Sequence, residues 1–229
     1  MKYIIIGLGN FGASLAAKLT MAGNEVIGVD SHMEKVEALK DKIYHTVRLD
    51  ATDAYAVSSL PLRDTDVVII AIGEDQGANI MATAVMRNHG VNRLISRAIS
   101  PLHEAILQAM GVTEIVHPEE ETAERWAKKL TLKGLVDSFE IDRSYSIAEV
   151  LVPDWCAGKR VGEINFRTEY NLVMMTTIKT EESRNLLGAP HQRQRVQGVA
   201  TPDSLLEKGD IMVIYGDKKN IRRFVEKSS

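Results

Sequence analysis

The chain has 229 residues, of which 45% are hydrophobic and 26% are charged, a composition that suits one large or two small packed domains. The formal net charge of -3 and a pI of about 6.1 argue against a nucleic-acid-binding protein, which usually has a basic domain. The single cysteine, Cys156, excludes an internal disulfide and a cysteine-cluster metal site.

The first half of the chain alternates between short β-rich runs and helical patterns. We predict strands at 2–6, 25–29, 43–49, 66–71, 93–96 and 114–116, with helices at 11–21, 33–40, 55–60, 76–89 and 102–110 between them. The runs 4–6 and 67–70 are continuously apolar, which is typical of strands covered by helices on both faces. Repeated strand–helix–strand units therefore predict an α/β fold with a Rossmann-like, doubly wound parallel sheet.

A crossover helix is predicted next, at 119–134, with Pro118 before it, glutamates in its first turn and lysines near its end. Beyond it the pattern predicts strands at 136–141, 146–152, 172–178 and 210–215, and helices at 162–166, 201–206 and 218–227. The polar segment 180–200 is predicted to be a mobile loop. These elements give a Rossmann-like domain at 1–117, a crossover helix at 118–135 and a smaller α+β domain at 136–229.

The chain shows no pattern for crossing or entering a membrane. Its longest apolar run, at 67–72, is far shorter than the about 20 residues that a spanning helix needs. The N-terminal residues lack the basic, long-apolar, small-residue layout of a signal peptide. We therefore expect a cytoplasmic protein.

The sequence Gly7-Leu8-Gly9-Asn10-Phe11-Gly12 follows the first predicted strand directly and begins the first helix. In this context a GxGxxG segment is typical of dinucleotide binding, because the helix N-terminus offers free N–H groups to phosphate. Gly7 permits a tight turn, Gly9 lets phosphate approach the backbone, and Gly12 lets helix and strand pack closely. The second strand leads to Asp30, whose carboxylate can hold both ribose hydroxyls and repel a 2′-phosphate. The alternative is a glycine turn followed by an aspartate that caps the next turn.

Further candidate residues follow the same strand ends, where ligands bind in open α/β sheets. They are Asn10 and Phe11 in the fingerprint, Ser31 and His32 beside Asp30, and then Asp50, Ala51, Thr52, Ala71, Ile72, Gly73 and Arg97. Small residues here let a base and a ribose lie against the sheet edge. Ordinary strand-to-helix turns would give the same residue types, and exposure to solvent is the alternative for Arg97.

The second domain lacks the residues that a dehydrogenase needs. Such an enzyme requires substrate-binding arginines and a proton-transfer residue that faces the nicotinamide, and no such set is apparent. Lys159, Arg160 and Arg167 suit only a solvated face or an anion site. A ligand-binding module therefore fits the sequence better than a catalyst.

With these motifs the chain resembles the RCK (KTN) family, and within it the cytosolic regulatory subunits of Ktr/Trk-type potassium uptake systems. The resemblance spans essentially the whole chain. It rests on IIGLGNFG at 5–12, EVIGVD at 25–30, DATD at 50–53, VIIAIG at 68–73, IVHPE at 115–119, VGEINFR at 161–167 and GDIMVIYGDKKNIRRF at 209–224.

The resemblance implies a non-enzymatic subunit that binds ATP or ADP, with NAD(H) as the other candidate. Such subunits form homodimers and octameric rings that dock on a membrane-embedded potassium channel at the inner face of the cell membrane. By position, Glu119 matches an acid that takes part in a divalent or monovalent cation site near the nucleotide phosphates. Its chemistry alone favours a simpler role, complementing the helix dipole.

The resemblance also implies a second ligand site and shows two departures from the family pattern. Val161, Ile164, Asn165 and Arg167 match a segment that binds cyclic di-AMP in some relatives, but Gly162 stands where that pattern has an aliphatic residue. Many Ktr-type rings have an arginine beside the middle glycine, where this chain has Asn10, so a preference for ATP over ADP does not carry over. An NAD-dependent oxidoreductase and a nucleotide sensor without a channel partner are the competing hypotheses.

Overall fold

The computed structural model describes residues 1–184 and 190–227. The chain divides into two compact units, Met1–Glu121 and Thr122–Ser229. This division falls inside the segment that the sequence predicts as a crossover helix. Each unit has its own sheet and its own hydrophobic core.

The first unit is a six-stranded parallel sheet with helices between its strands. Its strands are β1 (Lys2–Ile6), β2 (Glu25–Asp30), β3 (His45–Arg48), β4 (Val67–Ile70), β5 (Leu94–Arg97) and β6 (Glu114–Val116). Its helices are α1 (Asn10–Met21), α2 (Met33–Glu37), α3 (Ala54–Val57), α4 (Gln76–Asn88) and α5 (Pro101–Ala109). The strand order β3-β2-β1-β4-β5-β6 confirms the predicted Rossmann-like fold.

Both faces of this sheet are covered, as the continuous apolar runs predict. Ile4 and Ile6 of the central strand β1 pack in one core with Ile70, whereas Ile5 packs in another with Ile69. All five side chains are at most 5% exposed. From β1 the chain adds strands on one side as far as β3, and from β4 it adds them on the other side as far as β6. Because the direction reverses between β1 and β4, a crevice opens beside the carboxyl ends of these two strands.

The second unit is a five-stranded antiparallel sheet with two short helices. Its elements are β7 (Leu135–Glu140), β8 (Tyr145–Leu151), α7 (Phe166–Tyr170), β9 (Leu172–Arg184), β10 (Pro190–Val196), β11 (Ile211–Asp217) and α8 (Lys218–Val225), in the strand order β10-β9-β11-β8-β7. Phe224 of α8 is fully buried, and its ring centroid lies 5.0 to 5.1 Å from those of Trp155, Phe166 and Tyr170. This aromatic cluster packs the two helices against each other and against the turn that carries Trp155.

Three predictions for the second unit are wrong. The predicted loop at 180–200 is largely a hairpin, because β9 continues to Arg184 and pairs with β10; residues 185–189 lie outside the described residues. Hydrogen bonds between the two backbones hold this hairpin together, so its polar side chains show no apolar alternation from which strands could be predicted. The predicted helix at 201–206 is a turn at 202–203 followed by a short extended stretch, in which the Leu206 N–H donates to the Lys159 carbonyl (3.0 Å). The predicted helix at 162–166 is a 3₁₀ turn, Val161–Glu163, that precedes α7.

The crossover segment is helical as predicted, with bounds Pro118–Thr131 (α6), and none of its residues is buried. Its apolar stripe is exposed rather than packed on a sheet, and consists of Ala123, Trp126, Ala127 and Leu130. Trp126 is 56% exposed and Leu130 is 80% exposed. Exposed apolar side chains at helical spacing are typical of a surface that another chain covers.

Candidate functional site

A cleft of about 280 Å³ lies at the carboxyl ends of β1, β2 and β4, where the strand order reverses. Ligands bind at this position in open α/β sheets. The cleft brings together nearly all the residues that the sequence singled out in the first unit: Gly7, Gly9, Asn10, Phe11, Asp30, Ser31, His32, Asp50, Ala51, Thr52, Ala71, Ile72, Gly73, Arg97 and Glu119. Gly12 does not line it.

The three fingerprint glycines have different structural roles. Gly7 has a φ of +94°, and its N–H donates to the Val29 carbonyl (2.8 Å). A Cβ at Gly12 would overlap the Gly7 carbonyl oxygen, so Gly12 permits α1 to start against the turn. Gly9 caps α1 without a side-chain hydrogen bond, and a Cβ there would meet no atom within 4 Å. The uncapped N-terminus of α1 therefore offers N–H donors at the cleft.

Asp30 ends β2 in the cleft and is only 7% exposed. Its Oδ2 accepts a hydrogen bond from the Leu8 N–H (2.8 Å), and its Oδ1 accepts one from the His32 N–H (2.9 Å). Burial alone would raise the pKa of this carboxyl, but the two backbone donors, the His32 ring and the charge of Lys35 together outweigh burial and hold the pKa below its ordinary value. The side chain therefore stays ionised at the cleft, and it also forms the turn expected of a capping aspartate.

Asp30 should make acid-side stability pH dependent. Because its pKa is lowered on folding, its charge stabilises the fold above the unfolded pKa of about 3.9, and this contribution is lost as pH falls through the lower folded pKa. We expect the Asp30→Asn variant to lose less stability than the unchanged protein between about pH 5 and pH 2, measured by denaturant unfolding at each pH. Parallel stability curves would contradict this assignment.

Asp50 and Thr52 form a turn on another side of the cleft, after β3. The Asp50 Oδ1 accepts hydrogen bonds from the Thr52 N–H (2.9 Å) and hydroxyl (2.7 Å). The bond from the Thr52 N–H lowers the pKa of Asp50 most, and the bond from the Thr52 hydroxyl lowers it further. This is the strand-to-helix turn that the sequence left as an alternative, and it lines the cleft as well.

Arg97 lies at the cleft with its guanidinium over the Gly73 backbone, where any Cβ would overlap it. Its Nη2 donates to the Glu119 carboxylate, its Nη1 lies 3.4 Å from the Ala71 carbonyl oxygen, and its Cζ is 5.9 Å from the Phe11 ring centroid. The side chain is 14% exposed, and its buried Nε has no hydrogen-bond partner. Arg97 therefore faces the cleft rather than open solvent, and its Nε–H remains free to donate a hydrogen bond.

Sequence reasoning missed several residues that line the cleft, among them Lys35, Glu74, Asp75 and Ala78. Lys35 of α2 forms an ion pair with Glu74 after β4 (3.6 Å). Asp75 accepts a hydrogen bond from the Ala78 N–H (2.9 Å) and caps α4. Glu74 and Asp75 directly follow the predicted site residue Gly73, and this was the available signal for them. Lys35 gives no local signal, because its place depends on how α2 packs.

The second-domain candidates do not all line one cavity of the single chain. Ile164 and Asn165 line a cavity with Trp155 and Tyr170, whereas Val161 and Arg167 do not line it. Ile164 is buried in the core of the unit, and Arg167 is exposed. Of the other basic candidates there, Lys159 lies over the Trp155 ring (5.6 Å), and Arg160 donates to the Asp203 carbonyl (2.7 Å).

Residues 1–184 and 190–227 contain no group of three or more His, Cys, Asp or Glu side chains arranged to hold a metal ion. Within that part of the chain, no helix is long and apolar enough to span a bilayer. At the cleft, the Glu119 carboxylate is paired with Arg97.

Known proteins resemble this chain over its first unit and over nearly its full length. The TrkA-N domain model matches residues 3–118. Ktr system potassium uptake protein C of Bacillus subtilis (strain 168) is 29% identical over 223 residues, which are 97% of this chain and 95% of that protein. The NAD(P)-binding domain of an exopolyphosphatase-related protein from Archaeoglobus fulgidus is 30% identical, with a TM-score of 0.51, over 56% of this chain and 96% of that one.

The GsuK channel bound to NAD has a fold similar to that of this chain. It has a TM-score of 0.64 and 17% sequence identity, and the match covers 100% of this chain and 40% of that one. The TrkA-N match extends from β1 to the first residue of α6 and so contains the glycine turn, Asp30 and Arg97. On this match, and as the motifs indicate, the chain belongs to the TrkA-N (RCK) domain family.

Proposed function

We propose that this chain is a non-enzymatic regulatory subunit of a potassium uptake system, controlled by an adenine nucleotide in the cleft. The observation that carries the proposal is the meeting of the glycine turn, the buried Asp30 carboxylate and Arg97 at one crevice. The similarity of this chain to Ktr system potassium uptake protein C, over nearly the full length of both chains, supports the potassium part of the proposal. The partner is a membrane-embedded potassium channel or transporter, on whose cytoplasmic side the subunit docks.

The ligand is ATP or ADP, with NAD(H) as the alternative, since all of them present a ribose diol and phosphate. Asp30 accepts hydrogen bonds from the ribose hydroxyls. The His32 ring, which now contacts the Asp30 Oδ1, is exposed and can rotate away to make room for them. The phosphates lie at the N–H groups that begin α1, within reach of Arg97. The base lies between the turn at 50–52 and the strand end at 71–73. The NAD bound to GsuK, which shares this fold, supports the nicotinamide alternative.

Arg97 and Glu119 connect the cleft to α6. Their ion pair joins the end of β5 to the first turn of that helix. A phosphate that binds Arg97 competes with Glu119, or recruits a divalent or monovalent cation that Glu119 helps to hold. Either way, the position of the first turn of α6 depends on what the cleft contains. Nucleotides shift the equilibrium between two shapes of the assembly only by binding one shape more tightly than the other.

We expect a homo-oligomer, at least a dimer and in full an octameric ring, because the exposed stripe of α6 needs a partner surface. Light scattering behind a sizing column, with and without ADP or ATP, measures the mass directly. The Trp126→Glu variant should reduce the mass of the assembly. Met21→Glu, at a side chain that is 87% exposed on α1, should leave it unchanged and is the matched control.

A monomer of 25.4 kDa under every nucleotide condition would contradict the ring, because one subunit has no ring to deform. Copurification tests the partner: the tagged subunit should retain a membrane protein from detergent-solubilised cells and should raise that protein's potassium flux in vesicles only with one nucleotide. A subunit that binds nucleotide without any membrane partner would support a stand-alone sensor instead. Hydride transfer with bound NAD(H) would support an oxidoreductase.

A further inference from the structure

A buried amide lies directly behind the cleft without lining it. The side chain of Asn79, on α4, is 0% exposed. Its Nδ2 donates to the Ile72 carbonyl (2.8 Å) and to the Arg97 carbonyl (3.1 Å). These two residues lie past Ile70 and Ser96, the last residues in register between β4 and β5. The Asn79 amide therefore ties together two strand ends that the β4–β5 ladder no longer joins.

The other side of the amide is held by three side chains. The Asn79 Oδ1 lies 3.1 Å from the Ser96 hydroxyl, 3.2 Å from the His103 Nε2 and 3.5 Å from the Thr83 hydroxyl. Burial lowers the pKa of His103, so its ring is neutral and Nε2–H is the donor in this contact. Because donors surround Oδ1 and carbonyls face Nδ2, the amide has one satisfied orientation.

We propose that Asn79 is a positioning residue for Arg97, an inference that rests on the proposed nucleotide site. Asn79 fixes the backbone of Arg97 at one bond and the backbone of Ile72 at the other. Ile72 precedes Gly73, on whose backbone the guanidinium lies. The same amide thus fixes the position of Arg97, which carries the phosphate-binding guanidinium, and the position of the backbone at 72–73, on which the guanidinium lies. Asn79 acts through Arg97 and does not touch the ligand.

The test is a double-mutant cycle between Asn79 and Arg97, with ADP affinity measured by calorimetry. Asn79→Asp keeps the size of the side chain but replaces both donors with an oxygen facing two carbonyls. In the otherwise unchanged protein, this variant should weaken ADP binding about five- to tenfold, the effect of about one hydrogen bond. In the Arg97→Ala background the same change should alter the affinity less than about twofold, because its effect passes through Arg97.

Two controls separate positioning from general stability. Thr83→Val removes the hydroxyl that lies 3.5 Å from the Asn79 Oδ1 and 3.3 Å from the Ser96 hydroxyl, but it leaves both bonds donated by Asn79 in place. It should therefore leave ADP affinity unchanged in both backgrounds. Adenosine, which has no phosphate for Arg97, should lose much less affinity than ADP in Asn79→Asp, because only the strand end at 71–73, against which the base lies, is affected. Equal losses of ADP affinity with and without Arg97, or equal losses for adenosine and ADP, would overturn the proposal and leave Asn79 with a structural role.

If Asn79→Asp does not fold, Ser96→Ala loosens the same amide from its other side. The proposal then expects a smaller loss of ADP affinity, again only where Arg97 is present. No loss, or the same loss in the Arg97→Ala background, would overturn it. Failure of the unchanged protein to bind ADP would be a different result, since it would overturn the proposed function and this inference with it.

Discussion

The Gly9→Val variant should fold normally and lose adenine-nucleotide binding. Gly9 has a φ of −70°, which any residue adopts, and an added Cβ meets no atom within 4 Å. The isopropyl group instead occupies the cleft where phosphate must approach the first N–H groups of α1. Losing two or more charge-assisted hydrogen bonds, each worth about 1.5–3 kcal/mol, should weaken ADP binding at least about a hundredfold.

Calorimetry with ADP and thermal unfolding without ligand measure the two parts of this expectation. Gly12→Ala is the matched control, because its Cβ overlaps the Gly7 carbonyl oxygen and must distort the turn. That variant should lower the melting temperature, whereas Gly9→Val should not. If Gly9→Val binds ADP with normal affinity, the phosphates do not lie at the start of α1.

The second large effect is expected at Asp30, where the Asp30→Ala variant should weaken ATP, ADP and NAD alike. All three ligands present the same ribose diol to this carboxylate. A charged hydrogen-bonding contact contributes about 1.5–3 kcal/mol, so affinity should fall about ten- to a hundredfold for each ligand. Asp50→Ala, which removes a carboxylate that hydrogen-bonds within its own turn, should have a smaller effect.

Removing Asp30 also leaves the buried Leu8 N–H without its acceptor, so lost affinity alone does not identify a ribose contact. The 2′,3′-dideoxy analogue of ADP separates the two causes, because it lacks both hydroxyls. Asp30→Ala should weaken this analogue far less than it weakens ADP. Equal losses for the two ligands would show that Asp30 only supports the turn.

The parallel-sheet unit is largely predictable from the sequence, because its signals are local. Continuous apolar runs such as Ile4–Ile6 mark strands buried on both faces, and glycines mark the turns between strand and helix. The carboxyl ends of parallel strands meet at one edge, so residues 50–52 and 71–73 converge with Asp30 although they are far apart in sequence. This convergence follows from topology alone.

The remaining features depend on packing and pairing that no short pattern records. The hairpin of β9 and β10 is polar, and backbone pairing rather than an apolar face defines it. In the sequence, Asn79 is an ordinary polar residue near the start of a helix. Only the folded structure shows that its amide contacts the carbonyls of Ile72 and Arg97. The ion pair between Arg97 and Glu119 likewise depends on where β5 ends and where α6 begins.

Native mass spectrometry of the purified protein, mixed in turn with ADP, ATP and NAD, tests the central claim most directly because one spectrum gives subunit number and bound ligand together. We predict a ring-sized assembly of 25.4 kDa subunits that carries one adenine nucleotide per subunit. The Gly9→Val variant should give the same assembly without nucleotide. A single 25.4 kDa chain that retains none of the three ligands would contradict the account.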